Sequence, residues 1–194
     1  IVFTNLNTST IYRYFGLNNR KINTTMRKVI AHAFNYTYYI EIIREGYGIR
    51  AHQMVPPGFP YYNSSFRAPS MDIELARTEM MAMFPAETAT LTAPYNGGDA
   101  NDLAWEAIAA GTTPLASWPI LEHLNWDLGV QMNLVFANDL ARVGVKLTSD
   151  VMDWPTYIEV SNTNEDRLEI FHTGWGPDYL DPFNMVAPLL SNQS

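Results

Sequence analysis

The densest chemistry in this 194-residue sequence lies near its end, in Gly174-Trp175-Gly176-Pro177-Asp178-Tyr179-Leu180-Asp181-Pro182-Phe183-Asn184. The run sets an indole and two carboxylates among glycines and prolines. Such residues turn and stiffen a chain, so the segment suits a site better than a core strand. A carboxylate held there accepts charge-assisted hydrogen bonds from a cation such as an ammonium. The indole offers a flat apolar wall or a cation–π face. His172, just upstream, offers either a pH-dependent charge or a structural ring. Asp181 precedes Pro182 and is therefore held extended, a geometry that also lets it cap the following turn. Asp178 and Asp181 can also be taken as a carboxylate pair for acid–base hydrolysis, a reading nothing else in the sequence supports.

Other chemistries find no support. The histidines, His32, His52, His123 and His172, are widely separated and lack metal-ligand spacing. There is no cysteine, which excludes disulfides, thiolate metal sites and cysteine nucleophiles. No GxSxG, GxGxxG or Walker loop occurs, and Asn96-Gly97-Gly98-Asp99 is a turn rather than a phosphate cradle. No metal or cofactor is expected. The net charge of -8 and the lack of a basic cluster exclude nucleic acid as a partner. No apolar run of about 18 residues is present to span a bilayer, and no signal peptide is visible. The Asn-x-Ser/Thr sites at Asn7, Asn23, Asn35, Asn63 and Asn192 read as polar caps and turns. The sequence starts within an apolar pattern at Ile1, as expected of a fragment of a longer protein.

The elements that would hold the segment follow from periodicity. One or two strands are expected between Ile1 and Leu17. Asn23 is a helix cap, followed by Met26, Val29, Ile30, Ala33 and Phe34 at helical spacing. Asn35 caps a second stripe through Ile43 that ends at Gly46. Residues 50–70 form a long aperiodic loop whose Phe59, Tyr61 and Tyr62 either line a cleft or pack beneath the loop. Asp72 caps a helix carrying Ile73, Leu75, Ala76, Met80 and Met81. Thr88 to Tyr95 alternates like a strand, Ala100 to Ala110 is helical, and Gly111 to Pro119 is a connector. A helix from Asp127 to Val143, a strand from Val145, an Asp153-capped helix, a polar turn at Asn162 to Asp166 and a strand from Leu168 to Phe171 lead into the segment. Phe183 to Leu190 forms a last helical turn. Strands alternating with long helices predict a layered α/β domain.

Five blocks in order resemble the peptide/nickel-type solute-binding receptors of ABC importers, family 5. They are Tyr14 to Asn18, Met26 to Asn35, Pro56-Pro57-Gly58, Met71 to Arg77, and Leu140 through Trp154 and Tyr157 into Gly174 to Asn184. The last contains the Gly-Trp-x-x-Asp-Tyr-x-Asp-Pro pattern. Two departures stand out: Asn35 replaces a usual aspartate, and residues 99–125 look like an insertion. The resemblance implies an α/β lobe of the periplasmic-binding-protein-like (type II) fold, with a mixed sheet flanked by helices. It implies that residues 1–194 form the second ligand-binding lobe of a two-lobed receptor, and that the lobe performs no catalysis. Asp178 would grip the ammonium of an oligopeptide, with Trp175, Tyr179 and His172 also at the ligand. The partners would be an oligopeptide or other small solute and an ABC permease. The receptor would be extracellular or periplasmic, anchored at the cell surface through a tether outside this sequence. Oligosaccharide, opine or nickel-complex cargo, and a sensory or interaction role, are the alternatives that the same lobe admits. Alone, half a cleft would bind no tighter than millimolar.

Overall fold

A computed structural model describes residues 11–163 and 166–190. The expected strand residues before Ile11, part of the Asn162–Asp166 turn, and Asn7 and Asn192 lie outside the described residues.

The first strand, β1, is Tyr12–Leu17. Asn23 then accepts a hydrogen bond from the Met26 N–H at 2.9 Å and starts α1, Thr24–Ala33. Its buried residues, Met26, Val29, Ile30 and Ala33, fall on one stripe of a 3.6-residue period. Asn35 caps the next helix the same way, through the Tyr38 N–H at 2.9 Å. That helix, α2 (Tyr36–Tyr38), widens into a π-helical turn over Tyr39–Ile43. Asn63 likewise accepts from the Ser65 N–H, so three of the Asn-x-Ser/Thr asparagines serve as caps or turns. In the loop that follows, Phe59 packs beneath the chain while Tyr61 is exposed, so of the roles expected for its aromatics Phe59 takes the packing one.

Asp72 caps α3, Ile73–Met83, with Leu75 facing out rather than in. The strand expected at Thr88 to Tyr95 is absent: the segment is the end of a turn followed by irregular chain. Its backbone groups are taken by side chains instead. Asn101 bonds both the N–H and C=O of Thr92, Trp105 donates to Thr92 O, and Arg77 donates to Pro94 O. With those groups satisfied, the segment has no need of a sheet partner.

Next come α4 (Ala100–Ala110), β2 (Ala116–His123), α5 (Asp127–Ala141), β3 (Val145–Met152), α6 (Trp154–Thr163), β4 (Ile170–Trp175) and α7 (Pro182–Leu190). The connector expected through Pro119 therefore stops four residues early, and Pro119 sits inside β2. Proline cannot donate to a ladder. Here it lies one residue before Ile120 and Leu121, the residues of β2 that pair with β4. Residues 99–125 supply α4 and β2. They are integral to the sheet, because β2 is the strand that both β3 and β4 pair with.

The sheet order is β1-β4-β2-β3. The β2–β3 and β2–β4 pairs are parallel and β1–β4 is antiparallel, so the sheet is mixed, as expected. β1 is an outer strand. One sheet face carries the main core, where Phe15 stacks on Phe136 at 4.1 Å and meets Phe34 edge-on. The other face carries a smaller cluster of Leu121, Met152, Tyr157 and Val160. Each such fully buried side chain contributes about 1.5–3 kcal/mol. No helix among the described residues is long and apolar enough to cross a membrane.

Candidate ligand-binding site

Antiparallel pairing fixes where the expected site residues point. Residues directly opposite one another share a sheet face. Trp175 stands opposite Tyr12, and His172 opposite Phe15. Trp175 and His172 are three residues apart on one strand and so face opposite sides. The expected site residues do not form one cluster.

Trp175, Asp178 and Asn184 do come together. The Trp175 indole N–H donates to Asn184 O at 2.7 Å, and the Asp178 N–H donates to Asn184 Oδ1 at 3.0 Å. Asn184 is buried and pins the loop between β4 and α7. Asp181 accepts from the Phe183 N–H at 2.7 Å and serves as the cap of α7. The carboxylate of Asp178 is exposed and has no hydrogen bond or ion pair among the described residues. Tyr179 beside it is 54% exposed. The loop thus spends Asp181 and Asn184 on its own architecture and leaves Asp178 and Tyr179 facing outward.

His172 is placed differently. It is 2% exposed and lies between Phe15 at 5.0 Å and Trp126, which stacks on it at 4.5 Å. Neither ring nitrogen has a hydrogen-bond partner. Burial, with the Arg13 charge and His123 nearby, pushes its pKa down to about 3. Of the two roles open to His172, its burial between Phe15 and Trp126 fits the structural ring.

A second feature has no counterpart in the sequence reading. An open cavity of about 1040 Å³ runs along β1 and is lined by residues of α1, α2, the loop from Arg44 to His52 and the start of α5. Tyr12, Tyr14, Phe34, Tyr36, Tyr39 and Trp126 give it aromatic walls. Burial raises the pKa values of Tyr12, Tyr14, Tyr36 and Tyr39, so these phenols remain protonated donors at neutral pH. The charged side chains on the lining are Arg13, Arg44 and Arg50, with no Asp or Glu. The Arg13 guanidinium lies 4.9 Å over Trp126, and that of Arg50 lies 3.8 Å over Tyr36. A local signal for the Trp126 platform exists in the sequence. Gly129 falls one helical turn later, and a Cβ there would come within 2.4 Å of the indole, so only glycine leaves room for the ring.

Two cavity residues join the cavity to the loop. Tyr12 is the cross-strand partner of Trp175, and Ile11 lies 3.8 Å from where a Cβ on Gly176 would be. Among the described residues no cluster of His, Cys, Asp or Glu is arranged to hold a metal ion.

Comparison with known proteins places this geometry. The chain is 26% identical over 184 residues to heme-binding protein A of Haemophilus influenzae, covering 93% of this chain and 29% of that protein. Its fold matches the periplasmic binding protein DppA from Helicobacter pylori, solved with the peptide STSA, at a TM-score of 0.70 and 20% identity, over 93% of this chain and 30% of that one. HbpA2 from Haemophilus parasuis matches at a TM-score of 0.72 and 19% identity, over 94% and 32% of the two chains. At such identities these two likenesses speak to fold. The chain spans about three-tenths of the length of these relatives. The profile of the bacterial extracellular solute-binding proteins, family 5 middle region, matches residues 4–194, and the chain belongs to that family of binding proteins rather than to an enzyme family.

Proposed function

We propose that residues 1–194 are the second ligand-binding lobe of a two-lobed receptor that captures oligopeptides and hands them to an ABC permease. The observation that carries this reading is the Asp178 carboxylate, exposed and without a partner among the described residues, on a loop pinned by Trp175 and Asn184. A rigidly presented carboxylate that becomes enclosed when two lobes close is suited to a peptide ammonium. Trp175 and Tyr179 flank it as apolar contacts for the first residue of the peptide. The H. pylori neighbour solved with a peptide supports the cargo class. The receptor would work outside the cytoplasmic membrane, held at the surface by a tether beyond this sequence, and closure would be a hinge motion between lobes.

Calorimetry on the complete receptor tests the anchor, using a free-amine peptide library and its N-acetylated counterpart. Each charge-assisted bond is worth about 1.5–3 kcal/mol. Asp178→Ala should therefore weaken free-amine peptides by roughly ten- to a hundredfold and leave acetylated ones unchanged. Equal binding of both libraries by wild type would remove Asp178 from the role.

A second reading rests on the cavity. Its aromatic walls and arginines suit a flat apolar acid, and a relative is named a heme-binding protein. Under that reading haemin would titrate with a defined stoichiometry and a Soret shift, while peptides would not compete.

A further inference from the structure

Three acidic side chains are buried among the described residues: Asp102, Asp139 and Glu122. Asp102 pairs with Arg77 at 2.6 Å, and Asp139 with Arg142 at 3.0 Å. Glu122 is 9% exposed and pairs with no cation among the described residues. Its Oε2 accepts from two neutral groups, Asn133 Nδ2 at 3.1 Å and Ser149 Oγ at 3.0 Å. A buried charge is costly unless it is paired or coordinates a metal.

A second deficit of the same sign lies beside it. Asn133, on α5 and 4% exposed, has its Oδ1 buried with no hydrogen-bond donor among the described residues. Turning the amide over does not cure this. The turn would set Oδ1 against Glu122 Oε2 and leave the amide N–H groups without an acceptor. A carboxylate that lacks a cation and an amide oxygen that lacks a donor call for one thing, a positive ion between them.

The fold supplies the rest of a site. Glu122 and Ile120 alternate onto one face of β2, and Ser149 stands opposite Ile120 on β3. β3 is an outer strand and Ser149 is exposed, which gives an ion a path in from solvent. Oxygens bound at about 2.3–2.6 Å to calcium lie roughly 3 Å apart when they are neighbours around the ion. The Asn133 amide and Ser149 Oγ stand at that separation from Glu122 Oε2. Carboxylate, amide and hydroxyl oxygens are ligands for a hard cation. Magnesium keeps several waters and sheds them reluctantly, whereas Glu122 and Asn133 are both more than nine-tenths buried. The choice therefore falls on calcium.

We propose that Glu122, Asn133 and Ser149 bind a calcium ion that ties α5 to β2 and β3, with the Asn133 amide turned so that Oδ1 meets the ion. The set is one carboxylate and two neutral oxygens, so the affinity belongs at the weak end of calcium sites, with Kd about 10⁻⁴–10⁻³ M. The ion stiffens the lobe and touches no solute, so the inference holds whatever cargo the lobe takes.

The test is equilibrium dialysis of the complete, chelator-treated receptor against calcium, with thermal melting in calcium, in magnesium and in chelator. Wild type should bind calcium in the stated range and melt higher in calcium than in equal magnesium. Glu122→Gln keeps the size and the acceptor but removes the charge. It should lose about tenfold or more in calcium affinity, and with it the calcium-dependent melting shift. Asn133→Asp sets a second carboxylate beside the first. It should melt below wild type in chelator, bind calcium about tenfold more tightly, and recover its melting temperature when calcium is added. A melting temperature indifferent to calcium in wild type overturns the proposal, and that comparison needs no variant to fold. Equal stabilisation by magnesium overturns the choice of ion. Calcium bound alike by wild type and Glu122→Gln sits elsewhere in the receptor, and that result also overturns the proposal. So does an Asn133→Asp variant that calcium fails to rescue, because Asn133 is then only a hydrogen-bond donor to Glu122. No peptide enters these measurements, so failure of the peptide reading leaves the test intact.

Discussion

Arg77 and Arg13 each sit over a tryptophan ring, at 5.3 Å from Trp105 and 4.9 Å from Trp126, and there the likeness ends. Arg77 is fully buried between α3 and α4. It donates to Asp102 Oδ1 at 2.6 Å, to Pro94 O at 2.8 Å and to Arg142 O at 2.9 Å. Asp102 in turn accepts from the N–H groups of Gly98 and Asn96 and completes a capping box with Asp99. Arg13 is exposed, faces a cavity and pairs with no anion among the described residues. One cation is consumed by the fold and the other is left available. The difference separates a residue that builds the lobe from one placed to meet something outside it. The same division runs through the loop after β4, where Asp181 caps α7 and Asp178 is left open.

Asp102→Ala should break that contrast most severely. It strips the partner from a buried guanidinium, a change that costs about 3–5 kcal/mol, and it removes the capping box of α4 as well. Arg13→Ala should stay within about 0.5 kcal/mol of wild type, as substitutions of exposed side chains do. Urea denaturation of both variants decides the matter. Comparable losses would mean that Arg13 is as structural as Arg77.

The platform beneath Arg13 makes a weaker, pH-dependent demand. His172 has its pKa pushed from 6.5 down to about 3, first by burial and then by the Arg13 charge. The folded state therefore refuses a proton that the unfolded chain accepts below pH 6.5. Stability is highest above that value and falls as pH drops toward 3, at up to about 1.4 kcal/mol per pH unit. His172→Phe keeps an aromatic ring between Phe15 and Trp126 and should flatten this limb of a thermal-melting profile between pH 6.5 and 4. An unchanged slope in the variant would mean that the acid sensitivity comes from other groups.

Much of the frame was legible because polar caps announce helices locally. Asn23, Asn35, Asp72 and Asp153 each accept the N–H three residues on, as their spacing before apolar stripes suggests. The failures are equally physical. Thr88 to Tyr95 alternates like a strand, yet Asn101, Trp105 and Arg77 capture its backbone groups before any sheet can. Pro119 argues against a strand, yet β2 runs through it, because the proline falls just outside the pairing with β4. The signature loop declared part of its division of labour: Asp181, held extended before Pro182, caps α7 as its position suggests, whereas the pinning of Trp175 and Asp178 by Asn184 depends on where α7 packs. The cavity was hidden for a further reason. Arg13, Tyr36, Arg50 and Trp126 are spread over more than half of the chain. They meet only because β1 pairs with the outer edge of β4 and the chain from α1 through α2 passes across α5, a juxtaposition set by topology rather than by spacing.

The smallest expected effect sharpens the contrast within the loop itself. Asn184 holds the segment at two points of different kind. Its backbone oxygen receives the Trp175 indole N–H, and its side-chain oxygen receives the Asp178 N–H. Asn184→Ala removes only the second bond, so Trp175 should stay in place while the backbone at Asp178 loosens. Loss of one such hydrogen bond costs about 1 kcal/mol. Free-amine peptide affinity should therefore fall by a few-fold at most, well short of the loss expected from Asp178→Ala. Asn184→Asp restores the acceptor but sets a second carboxylate near the first, which strengthens the local negative potential. It should recover affinity for a cationic end, more at low salt than at high salt, because salt screens exposed charges. If Asn184→Ala matched Asp178→Ala in its effect on peptide binding, positioning rather than charge would dominate the loop, and Asn184 would have to be counted as important to capture as the carboxylate it holds in place.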